Sequence, residues 1–147
     1  MRIEDFRTPH YRALYRRLVE HPYPDLDDKI HQDEARTRFK VRHRSGKMIA
    51  ADEDQLERVL HAYGVFDPDV FYKQGYVYFV TLLFHYLQSE EDVFFALCWI
   101  MHTLGWRAHF IEPFPRMDII TTELKHYITF SLPRLAQKFA NDGPIMM

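Results

Sequence analysis

The chain has 147 residues with 21 acidic and 19 basic side chains, a formal charge of -2 that gives no global attraction to nucleic acid or an anionic membrane. A composition 47% hydrophobic and 16% aromatic can fill one core, so a single domain without extensive disorder is expected. The lone Cys98 excludes an intrachain disulfide and, inside the apolar run Val93 to Met101, reads as a buried small hydrophobe. The N-terminal residues Met1 to Arg7 alternate charge with bulk and contain no signal-like apolar stretch. The longest apolar stretch, Tyr76 to Leu87, falls short of the roughly 20 residues that span a bilayer.

Thr8 before Pro9 is a helix start, and Tyr11, Leu14, Tyr15 and Leu18 keep the helical apolar period to about Glu20, with Arg12, Arg16 and Arg17 left for the solvated side. His21-Pro22-Tyr23-Pro24 breaks it. Asp25 to Asp28 favour a new helix over Leu26 to Thr37, on which Ile30, Asp33 and Arg36 share one face through their spacing of three. Lys40 to Lys47, with Ser45-Gly46, reads as a loop.

Asp52 to Asp54 open the next helix, Leu56, Val59, Leu60 and Tyr63 continue it, and Gly64 is expected to close it. A turn through Phe66-Asp67-Pro68-Asp69 leads into Tyr72-Lys73-Gln74-Gly75. The segment Tyr76 to Leu87 favours a strand by residue type and a buried helix by context. Ser89 and the acids after it cap a helix running to about Leu104, where Gly105 can end it. Pro113 and Pro115 mark a turn; Met117 to Phe130 is helical in period, and a short helix from Leu132 ends near Asn141. The expected fold is all-α: a single orthogonal bundle of about six helices, with the segments from Tyr76 and from Val93 at its centre and hidden from water.

Ile30-His31-Gln32-Asp33-Glu34-Ala35-Arg36 and, further on, Tyr72-Lys73-Gln74-Gly75 resemble the IxxDxxR and YxQG signatures of TBC-domain proteins, the activators of Rab-type small GTPases. The resemblance extends over roughly Leu26 to Gly143, including the helix Leu56 to Tyr63 that leads to the YxQG string and the acid-capped, aromatic-rich helix Ser89 to Trp99 that follows it. It implies that Arg36 and Gln74 enter a partner's GTP site, the arginine screening phosphoryl charge and the glutamine placing the attacking water. Ile30, Asp33, Tyr72 and Gly75 would support these two fingers, with Asp33 able to aim Arg36 and Gly75 letting the backbone pass close to the partner. The chain would act on a Rab-type GTPase's active site rather than turn over a substrate of its own. GTP and magnesium would belong to that partner, in vesicle trafficking, with the chain cytoplasmic and peripheral to endomembranes.

The chain departs from the family pattern in places. Tyr76 and Val77 follow the YxQG string where methionine and asparagine are common, and Arg36 is followed by Thr37, Arg38 and Phe39 rather than phenylalanine and proline. The family's opening elements are not visible, and the chain stops near Gly143, where TBC domains continue into a second helical subdomain. An exposed apolar surface near the C-terminus, with self-association, is therefore expected, and a module that binds a Rab protein without activating it is the alternative reading.

A competing reading rests on the acid-free run Arg36, Arg38, Lys40, Arg42, Arg44 and Lys47, whose alternate spacing could track phosphates of nucleic acid or lipid headgroups. A solvated loop is the simpler reading, and nucleic acid is not favoured. None of the nine histidines falls in a metal-ligand spacing, His85 and His102 read as core residues, and no glycine-rich loop offers the chain a GTP site of its own.

Overall fold

The computed structural model describes residues 8–36, 41–42, 48–49, 53–87 and 89–141. Over these residues the protein is all-α, as expected, with seven α-helices rather than about six. They fall into two compact units, residues 1–107 and 108–147.

In the first unit, Thr8 caps α1 (Pro9–Val19) by accepting from the Tyr11 N–H at 3.5 Å, and Pro9 takes a first-turn position with no intrahelical bond to lose. α2 (Pro24–Arg36) also begins on a proline, with Asp25 and Asp27 in its first turn. α3 (Glu53–Phe66) does not end at Gly64 as expected. A Cβ on Gly64 would lie 2.7 Å from both Leu26 methyl carbons, so the missing side chain is what lets α2 seat closely on α3.

α4 (Tyr76–Tyr86) resolves the ambiguous segment as a helix. Ser89 caps α5 (Glu90–Cys98), accepting from the Asp92 N–H at 3.5 Å. The run expected to stay α-helical to Leu104 instead widens into a π-helical turn, Trp99–Thr103, in which the Leu104 N–H reaches back to the Trp99 carbonyl at 3.2 Å. Gly105, at φ 75, ends it, and a 3₁₀ turn follows at Trp106–His109.

Part of the expected loop Lys40 to Lys47 is paired: β1 (Val41–Arg42) runs antiparallel to β2 (Met48–Ile49), with Val41 opposite Ile49. β-Branched residues at that pairing suit extended backbone. Arg38, Lys40, Arg44 and Lys47 lie outside the described residues, as do the side chains of Arg36 and Arg42, and the phosphate-tracking reading lies there with them.

Five consecutive buried residues, Val93 to Leu97, make α5 the centre of this unit, and α3 lays Leu56, Val59, Leu60, Ala62 and Tyr63 against the same core. The Tyr15 and Phe94 rings pack 5.2 Å apart, and Phe66 meets Phe94 edge-on at 6.0 Å. The rim of this core is tied by Glu90, which accepts from Arg58 Nε at 2.9 Å and from the Tyr15 hydroxyl at 3.1 Å. Burial, with the Glu90 charge adding to it, pushes the Tyr15 hydroxyl well up from its ordinary pKa, so it stays a donor. Burial likewise pushes the Cys98 thiol up, although the residue is only partly buried rather than fully inside the core as expected.

Two expectations about the core fail. α4 buries only one side, Tyr76, Val77 and Val80, and exposes Tyr78, Leu82 and Tyr86, which follow one another at intervals of one helical turn. Apolar content hides a helix only as far as other elements pack around it. His102 is exposed rather than in the core, with its Nε2 3.5 Å from the Asp67 carboxylate.

The second unit holds α6 (Pro115–Ser131) and α7 (Pro133–Asn141), which pack on each other. α6 has no buried residue; Met117, Ile120, Leu124 and Tyr127 are exposed along it, and Phe130 is 91% exposed, in line with the apolar surface expected near the C-terminus. Among the described residues no helix is long and apolar enough to cross a membrane.

Candidate functional site

The structure brings the two sequence motifs together through Asp33. On α2, Ile30 is fully buried and anchors the helix, and Asp33, one turn later on the same inward face, is only 6% exposed. One carboxylate oxygen of Asp33, Oδ2, accepts from the Tyr72 hydroxyl at 2.6 Å and from the Gly75 backbone N–H at 2.9 Å. Asp33 therefore holds both ends of the Tyr72–Gly75 tetrad, a role the sequence did not suggest. The backbone of α2 ends at Arg36, whose side chain lies outside the described residues.

Gln74, between the two tethered residues, is exposed. Gly75 has φ 98, a left-handed conformation that costs other residues strain, while a Cβ there would meet nothing within 4 Å. Glycine is required here by backbone conformation and not, in the free chain, by a lack of space. Tyr76 N–H closes the turn onto the Lys73 carbonyl at 3.1 Å, and α4 starts directly after it. Tyr72 is buried, its ring 5.9 Å from that of Tyr76, so the residue standing where the family commonly has methionine packs beneath the loop.

Sequence reading missed what holds the other end of this loop. Asp67, 4% exposed, accepts from Arg107 Nε and a terminal guanidinium nitrogen at 2.6 and 2.8 Å, and from the Tyr63 hydroxyl at 3.2 Å. Arg107 also donates to Asp69 at 2.8 Å, clamping the turn just before the motif. Phe71 sits at φ 57, a strained angle for a bulky side chain; the Tyr23 ring lies 5.2 Å away and Lys29 Nζ 4.7 Å above its ring. The Asp-Pro-Asp string signalled a turn but not that its first carboxylate would be buried.

Burial alone would raise the pKa of Asp67, but the Arg107 hydrogen bonds and charge, with smaller help from Tyr63 and His102, hold it below the ordinary carboxylate value. A depressed folded-state pKa contributes stability that is present above the unfolded value, near 4, and is lost as pH falls through the folded one. Arg107→Ala removes the partner of a buried charge and is expected to cost about 3 kcal/mol, the low end for such pairs because Arg107 itself is 27% exposed. Urea denaturation checks both: wild type should lose stability as pH drops below about 4, and the variant, its Asp67 without the guanidinium, should lose less of it.

An all-α fold that carries IxxDxxR on one helix and YxQG on a loop tied to it accords with the resemblance to TBC domains. The chain belongs to that family: residues 8–147 match the Rab-GTPase-TBC domain. It is similar to GTPase-activating protein GYP5 of Eremothecium gossypii, 28% identical over 134 residues, an alignment covering 90% of this chain and 15% of the relative. The protein of the same name from Saccharomyces cerevisiae is 27% identical over 128 residues, covering 86% and 14%. The chain thus spans about one seventh of the length of these curated relatives.

Proposed function

We propose that this chain accelerates GTP hydrolysis on a Rab-type small GTPase by placing Arg36 and Gln74 in the partner's active site. The observation that carries this reading is the Asp33 tether: a single buried carboxylate couples the helix that ends at Arg36 to the loop that exposes Gln74. Two groups that must act on one phosphoryl group are useful only if held at a fixed separation before the partner arrives, because preorganised charge and position cost no reorganisation in the transition state. Membership of the family and similarity to proteins named as GTPase activators support the same reading.

Arg36 would supply a planar, permanently charged donor to oxygens on which charge accumulates, and Gln74 a neutral group able to orient the attacking water. GTP and magnesium would belong to the partner, and through that partner the chain would reach endomembranes. Single-turnover hydrolysis with a panel of GTP-loaded Rab-type proteins tests the proposal, with at least one expected to be accelerated. Binding to the GTP form with no change in rate would favour a Rab-binding module, a reading that the unusual residues after Arg36 and Gly75 also suit.

A further inference from the structure

A second polar junction, separate from the Asp33 tether, fixes the other end of α2. His61 on α3 is 8% exposed and stands between two oxygens: its Nε2 lies 2.7 Å from the backbone carbonyl of His21, just before α2, and its Nδ1 lies 2.5 Å from Asp27 Oδ1 in the first turn of α2. A carbonyl can only accept, so Nε2 must carry a proton. A carboxylate can only accept as well, so the short second contact needs a further proton, on Nδ1 or on Asp27 itself. The junction thus bridges α3 to both the entry and the first turn of α2.

The other charged groups around the same cleft, of about 360 Å³, are already engaged or stand off. Glu57 faces His31 Nε2 at 3.0 Å, Arg58 is held by Glu90, and Glu20 lines the wall. His31 repeats the pattern more openly on α2, its Nδ1 2.8 Å from the Asp27 carbonyl. Asp27 is thus the acidic group in contact with His61.

We propose that His61 is a positioning residue for α2, a clamp that fixes the start of the helix against α3 and so sets where its far end, at Arg36, is presented. The clamp itself is independent of the GTPase-activating reading; its bearing on Arg36 rests on that reading.

Amide hydrogen exchange of the whole chain, expressed as protection factors to remove the intrinsic pH dependence, tests the clamp without any GTPase. His61→Ala should lower protection along α2 by roughly ten- to a hundredfold. Asp27→Asn is the second variant: its carboxamide can donate to Nδ1 while Nε2–H keeps the His21 carbonyl, so the clamp should survive. Loss of α2 protection in Asp27→Asn as large as in His61→Ala, or unchanged α2 protection in His61→Ala, would overturn the proposal. In single-turnover hydrolysis, His61→Ala should lower the maximal rate while leaving GTPase affinity near wild type. If exchange behaves as expected but wild type accelerates no GTPase, the activator reading fails and the clamp stands.

Discussion

Replacing Arg36 by alanine is expected to slow activated GTP hydrolysis by about 10³- to 10⁵-fold, the range an arginine supplied in trans is worth in GTPases. The loss should fall on the maximal single-turnover rate and far less on affinity for the GTP-loaded partner, because the guanidinium meets its full complement of charge only in the transition state. Arg36→Lys should not restore the rate, since an ammonium cannot donate to two oxygens in one plane. Even 10³-fold is about 4 kcal/mol, well above the 0–1 kcal/mol of an exposed helical ion pair; the size of the effect alone separates a finger from a surface arginine. Gln74→Ala should also lower the rate with little loss of binding. Glutamine at Arg42, Arg44 and Lys47 is the control: if that triple change costs as much as Arg36→Ala, the basic run docks the partner and the single-finger assignment is lost. Unchanged rates in both Arg36→Ala and Gln74→Ala would sink the mechanism.

The helices were legible in the sequence because their signals are local. Tyr11, Leu14, Tyr15 and Leu18 repeat at the helical period, and Thr8 and Ser89 sit where orphan backbone donors need an acceptor. Gly64 misled for the opposite reason. Glycine before a turn is a stop signal in one dimension, whereas its use here, to admit Leu26 from α2, depends on a contact across the fold. The π-turn at Trp99–Thr103 and the exposed side of α4 were hidden likewise, one because it changes hydrogen-bond register without changing composition, the other because burial depends on which neighbours are present.

The site divides in the same way. Motif resemblance picked out Asp33, Tyr72 and Gly75 but not their connection, since a pairing 39 residues apart in the chain leaves no periodic trace. Asp33 was expected to serve Arg36, whose side chain lies outside the described residues; the structure adds that its Oδ2 holds the glutamine loop. Proximity in sequence gave no hint of this second role, because a buried carboxylate is held where several donors converge, and the tyrosine hydroxyl and the left-handed Gly75 amide provide that convergence. The Asp67–Arg107 and His61–Asp27 junctions escaped for the same reason.

The junction at Asp33 carries the second large expected effect. Asp33→Ala would leave the buried Tyr72 hydroxyl and the Gly75 N–H without this acceptor, at a cost of roughly 3–6 kcal/mol for two hydrogen bonds to a charged group. Gly75 at φ 98 would lose the contact that offsets its conformational freedom, so the loss should appear first as faster amide exchange from Lys73 to Tyr76, and only then in global stability. A glutamine freed to move by about 1 Å would lower the activated rate by on the order of 10²-fold. Tyr72→Phe removes one donor and keeps the Gly75 contact, so its effect should be smaller in every readout. That gradation is the informative part, because a general loss of folding would depress exchange protection and melting temperature across the whole first unit in both variants. A rate and a Gly75 exchange that stayed at wild-type values in Asp33→Ala would show that the helix and the loop are held together by packing, with Ile30 and Tyr72 as the apolar contacts that remain buried on either side.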